Sequence, residues 1–137
     1  MPQFSSASRT SRLAIVLLTV VSLTNAYAAG LGGTWSGNVT QSDTNDTYPV
    51  EMELYGNDGT ISYPSFRCGG KLRFIREEGK AFFYRESITY GTKDCIDGGT
   101  IQISPSPMGD PNLWNWRWDG GGVSARGVLK GSGKREP

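Results

Sequence analysis

The run "YPVEMELYGNDGTISY", Tyr48 to Tyr63, decides the fold class. Val50, Met52 and Leu54 alternate with Glu51 and Glu53, so one side of the segment is apolar and the other charged. A period of two marks a half-buried strand, because successive side chains point to opposite faces of a sheet. "GNDG", Gly56 to Gly59, supplies residues that tolerate the positive φ of a tight hairpin turn. "TISY" follows as a short strand, and Pro64, with no N–H to give to a ladder, prevents its simple continuation.

The pattern extends in both directions. "GTWSGNVTQ" begins at Gly33, and "KLRFIR" sets Leu72 and Phe74 against Lys71 and Arg73. "EEGK" turns into "AFFYRESITYG", the longest strand candidate. "TIQIS" aligns Ile101 with Ile103, "SPSPMGDPN" (Ser104 to Asn112) is a proline-rich loop, and "LWNWRWD" places Trp114, Trp116 and Trp118 on one face. "GVSARGVLKG" aligns Val123, Ala125, Gly127 and Leu129. About eight short strands without an amphipathic helix predict an all-β chain. The evenness of the spacing favours a small antiparallel up-and-down barrel, lipocalin-like or avidin-like, with a β-sandwich as the alternative. Closure would also remove the edge strands that invite aggregation.

The N-terminus has the layout of a signal peptide over residues 1–28. Arg9 and Arg12 precede the apolar "LAIVLLTVV", Leu13 to Val21, and "NAYAAG" offers a cleavage site through Ala26 and Ala28. The apolar run falls short of the roughly 20 residues a membrane helix needs, so no membrane span is expected once the signal is removed. A single barrel domain is expected over 29–131, with a disordered tail over 132–137. The expected location is periplasmic or secreted.

The 14 basic and 13 acidic residues nearly balance, and two of the basic ones lie in the signal. Such a chain has no basic field with which to hold nucleic acid. It also has no histidine. That removes Ser-His-Asp and Cys-His catalysis, histidine-bound zinc and the commonest general base. No cofactor or metal is expected, and a non-enzymatic role is favoured. A hydrolase working through carboxylates alone, from among Glu86, Asp94, Asp97 and Asp119, finds no support in their spacing.

Cys68 in "YPSFRCGG" and Cys95 in "DCIDGGTI" each precede a glycine pair. In an exported chain these two cysteines are expected to form a disulfide. Closing a loop of about 27 residues contributes roughly 3 kcal/mol on a chain-entropy argument. The glycine pairs are expected to relieve backbone strain where each strand begins, through positive φ or close approach.

Two features bear on binding. Strict alternation puts Phe82, Tyr84, Glu86, Ile88 and Tyr90 on one face, which sets a carboxylate among apolar neighbours. Glu86 is then either a ligand anchor or an acid, or else a structural residue held by an ion pair or hydrogen bond, with Arg67 and Arg85 as candidate partners, or turned outward by a bulge. The row Trp114, Trp116 and Trp118 is either a platform for a sugar or flat apolar ligand, or one wall of a barrel interior. Bulky side chains fill small barrels, which favours the wall. If a ligand enters the barrel mouth, the candidate lining is Glu86, Tyr84, Trp35, Trp114, Trp116 and Trp118.

The order of these segments resembles an uncharacterised family of bacterial extracytoplasmic β-domains, some of which follow serine/threonine kinases. The resemblance rests on Tyr63-Pro64-Ser65, Cys68-Gly69-Gly70, Arg85-Glu86, Ile88-Thr89-Tyr90-Gly91 and Cys95-Ile96-Asp97-Gly98-Gly99. It implies an independent extracytoplasmic domain used for sensing or binding, and it supplies no activity. The leading expectation is an exported protein that recognises a protein partner such as a hydrolase or toxin, in the manner of an inhibitor or immunity protein. The loops "TQSDTNDTYP" and "SPSPMGDPN" would supply contacts. The alternative is a barrel that binds or senses a small apolar or sugar ligand.

Overall fold

The computed structural model describes residues 14–19 and 30–135. The cleavage site and most of the signal lie outside the described residues. Residues 14–19 form neither helix nor strand, and no helix among the described residues is long and apolar enough to cross a membrane.

The strands are β1 (Leu31–Gln41), β2 (Thr47–Tyr55), β3 (Asp58–Tyr63), β4 (Cys68–Glu78) and β5 (Ala81–Tyr90), followed by β6 (Thr100–Pro105), β7 (Leu113–Gly120), β8 (Val123–Gly131) and β9 (Lys134–Arg135). Consecutive strands from β1 to β8 pair antiparallel, and β1 also pairs with β8. The sheet therefore closes into an eight-stranded up-and-down barrel, and the sandwich alternative falls away. Lys134–Arg135, placed by sequence in a disordered tail, pair with Gly32 and Leu31 as β9. They extend the β1–β8 ladder in the same register, and Arg135 bonds Glu77 on β4. β5 is one residue shorter than β1 and β4, which are the longest strands among the described residues.

The opening hairpin forms as the alternation requires. Val50, Met52 and Leu54 are buried, Glu51 and Glu53 are exposed, and Tyr55 pairs with Asp58 across Gly56-Asn57. Pro64 ends β3 in a short 3-10 turn, Pro64–Phe66, and Arg67 takes the left-handed conformation that redirects the chain into β4.

The interior is filled by side chains. Trp35, Trp114, Trp116 and Trp118 are all buried, with Ile101, Ile103, Leu129, Val39 and Leu72 packed among them. Trp35 meets Trp114 edge-on at 5.6 Å between ring centroids. The tryptophan row is thus a barrel wall, with Asn115, Arg117 and Asp119 facing outward. Each indole removes about 150–250 Å² from water, worth on the order of 4 kcal/mol or more at about 25 cal/mol per Å².

The alternation in β5 breaks at its end. Gly69 pairs with Tyr90 but Gly70 pairs with Ile88, so Thr89 is an extra residue and forms a bulge. Tyr90, expected on the same face as Glu86, is therefore turned out and 50% exposed. The glycine pair in β4 accommodates this. A Cβ on Gly70 would stand 1.9 Å from the Ser87 carbonyl oxygen, and one on Gly69 would stand 2.4 Å from the Tyr90 hydroxyl. Neither glycine has a positive φ, so close approach is the reason for the pair.

Cys68 and Cys95 form the disulfide, with Cα atoms 6.4 Å apart, within the usual range. It ties the start of β4 to the loop between β5 and β6.

Because the indoles are packed structure, Trp116→Ala is expected to lower stability by about 3–5 kcal/mol in urea unfolding. A loss below about 1 kcal/mol would mean the interior is not packed against this ring.

Candidate functional site

Up-and-down winding brings alternate connections to the same end of the barrel. The β1–β2 turn, the 3-10 turn after β3, the β5–β6 loop and the β7–β8 turn share one end. Glu86 lies near that end, on β5, facing inward and only 1% exposed.

Two neutral donors hold its carboxylate. The Tyr63 hydroxyl donates to Oε2 at 2.5 Å, and the Trp118 indole N–H donates to Oε1 at 3.0 Å. The expected arginine partners are absent from this contact. Arg85 is on the outer face, with its guanidinium toward the Gly98 carbonyl, and Arg67 is exposed in the turn. Among the described residues no Lys or Arg forms an ion pair with Glu86. The alternation was right about the face of Glu86. What sequence could not supply was its partners, which come from β3 and β7, 23 and 32 residues away.

The "CIDGG" segment shapes the site from behind. The Asp97 carboxylate accepts from the Ile88 and Gly98 amides at 2.8 and 2.9 Å, holding the loop against β5 beyond the last strand pair. The Glu86 amide donates to the Gly99 carbonyl at 2.9 Å. A Cβ on Gly99 would lie 2.1 Å from Trp118 Nε1, so only glycine leaves the indole where it can reach Glu86.

Above Glu86 is a cavity of about 160 Å³. Glu86, Tyr63, Tyr48 and Trp118 are its buried lining, Gln41, Phe66 and Cys95 are half-buried, and Asp46, Asp94 and Ile96 are exposed at its mouth. The aromatic rings interlock, with Tyr48 edge-on to Phe66 at 4.8 Å and to Tyr63 at 6.1 Å. Tyr48 also donates to Gln41 Oε1 at 3.2 Å.

The electrostatics follow from burial. Loss of hydration raises the Glu86 pKa, the Tyr63 and Trp118 bonds oppose this, and the nearby Asp97 charge adds to the rise. Burial, and then the Glu86 charge, push Tyr63 well above its ordinary value, and the same two causes raise Tyr48. Among the described residues no group of three or more His, Cys, Asp or Glu is arranged to hold a metal ion.

The six proposed lining residues divide. Glu86 and Trp118 meet at this cavity. Tyr84 is fully buried, its hydroxyl accepting from the Leu31 amide at 2.8 Å, and burial pushes its pKa up to about 12. Trp35, Trp114 and Trp116 pack elsewhere in the barrel, and their buried indole N–H groups have no hydrogen-bond partner among the described residues. Of the two proposed contact loops, "TQSDTNDTYP" borders the cavity, whereas "SPSPMGDPN" lies at the other end, where Ser104 and Pro105 finish β6 and the remainder joins it to β7. Tyr48, Tyr63 and Phe66 were missed as lining residues. Tyr48 and Tyr63 bracket the clearest hairpin of the sequence, but only closure of the barrel turns them toward Glu86.

A larger hollow of about 840 Å³ lies over the outer face of β1–β4. It is an open trough bordered by side chains such as Ser36, Glu51, Glu53, Thr60 and Lys71, and among the described residues no buried ionisable group faces it. The smaller cavity therefore holds the distinctive chemistry.

No family model matches the chain, and no curated protein or solved structure matches it.

The raised pKa fixes a sign for stability. The folded state holds the Glu86 proton more tightly than the unfolded chain does. Its favourable contribution is complete below the ordinary carboxylate range and is lost as pH rises through the folded pKa. Glu86→Gln, neutral at every pH, is expected to be at least as stable as the wild type near pH 7. Its unfolding free energy should also vary less between pH 7 and 4, as read by denaturant titration. A variant clearly less stable than wild type at pH 7, with unchanged pH dependence, would contradict the assignment.

Proposed function

We propose that this chain is an exported, non-catalytic binding protein that receives a protein partner at the Glu86 end of its barrel, in the manner of an inhibitor or immunity protein. The size of the cavity carries the choice of partner. Small-molecule sites commonly occupy about 300–1,000 Å³. Here the cavity is about 160 Å³, and the rest of the interior is packed with tryptophan and aliphatic side chains. That space suits one inserted side chain better than a whole lipocalin-type ligand.

Further support comes from the frame. The closed sheet and the disulfide beside the cavity make a rigid rim, which lowers the ordering cost of association. A disulfide also fits an oxidising compartment outside the cytoplasm. The exposed β1–β2 turn and β5–β6 loop would extend the contact beyond the inserted group.

Capture from extracytoplasmic fluid on the immobilised chain tests the reading, with Ile96→Trp as the filled-cavity comparator. The expected result is a protein held by the wild type and bound at least about tenfold more weakly by Ile96→Trp at unchanged melting temperature. A partner bound equally by both, or native mass spectra showing a retained small molecule and no protein, would overturn it.

A further inference from the structure

We infer that the group entering the cavity is the head of a basic side chain, a lysine ammonium or an arginine guanidinium carried by the partner protein. The inference rests on the binding role proposed above and adds the chemistry of the occupant.

Glu86 sets the sign of charge. A carboxylate taken out of water is expected to be paired with a cation or supported by strong hydrogen bonds. Among the described residues Glu86 has only a phenol and an indole as side-chain donors, and no cationic side chain lines its cavity. A carboxylate offers about four lone-pair sites, so roughly half remain for an incoming N–H.

The walls suit the same guest. Tyr48, Tyr63, Phe66 and Trp118 surround the space, and aromatic rings attract a desolvated cation through their faces while accommodating its aliphatic stem. Asp46 and Asp94 at the mouth add negative field along the entry path, favouring cations and repelling anions. A water molecule takes up about 30 Å³, so the cavity has room for about five non-hydrogen atoms. That matches a guanidinium with its first methylene, or an ammonium on a short chain. A metal ion fits less well, since no set of carboxylates converges on one point among the described residues.

Four titrants applied to the full chain test this: n-butylammonium, ethylguanidinium, n-butanol and butyrate. The readout is the Trp118 indole N–H resonance in wild type and in Glu86→Gln. The two cations should shift it saturably, with affinity on the order of millimolar for so few atoms. n-Butanol and butyrate should bind at least about tenfold more weakly, and Glu86→Gln should weaken the cations by a similar factor. The inference is overturned if n-butanol or butyrate matches the cations, if Glu86→Gln leaves cation binding unchanged, or if no titrant binds. The capture experiment with Ile96→Trp does not depend on the charge of the guest. Failure here with capture still sensitive to Ile96→Trp would leave the site with a different occupant, and failure of both would remove the site.

Discussion

Closure of the sheet through β1 is the constraint on which the rest depends. β1 pairs with β2 along one edge and with β8 along the other, and β9 continues the second seam. Once the sheet is closed, every second residue of every strand must enter a space of fixed volume. Four tryptophans take up much of that volume. The same rule brings Glu86 inside, because β5 does not depart from alternation until Thr89, three residues later.

Burying that carboxylate shapes its neighbours. Tyr63 reaches it from the end of β3, where Pro64 stops the strand. Trp118 reaches it from β7, across a gap that Gly99 keeps open. The disulfide and the Asp97 side chain fix the β5–β6 loop that carries Gly99. Residues that read as turn and staple elements in the sequence thus position the hydrogen bonds of one buried charge. That carboxyl group has no cationic partner among the described residues, so its burial is a cost to stability that its two hydrogen bonds offset.

Much of the fold follows from local pattern. The alternation of Val50, Met52 and Leu54, the paired isoleucines of β6 and the three tryptophans of β7 each identify an inward face without tertiary information. The face of Glu86 is read in the same way. Tyr90 is misplaced because a bulge changes the phase of a strand without leaving a mark in the apolar pattern. The division of the candidate lining has a different cause. Tyr84, Trp35, Trp114 and Trp116 share the interior with Glu86, but strand tilt and packing decide which side chains border an open space. Gly99 reads as half of a glycine pair that eases the start of a strand, and Trp118 as the group that approaches it becomes visible only when the loop is folded against β7.

The central claim is that Glu86 is a buried carboxylate held inside the barrel by neutral donors. Its own titration, followed through the side-chain carboxyl carbon by NMR in the full chain, tests that claim most directly. The expected midpoint lies above the ordinary carboxylate range, with the Trp118 indole N–H resonance shifting in the same transition. A midpoint at or below that range, or a titration that leaves Trp118 unmoved, would contradict the account.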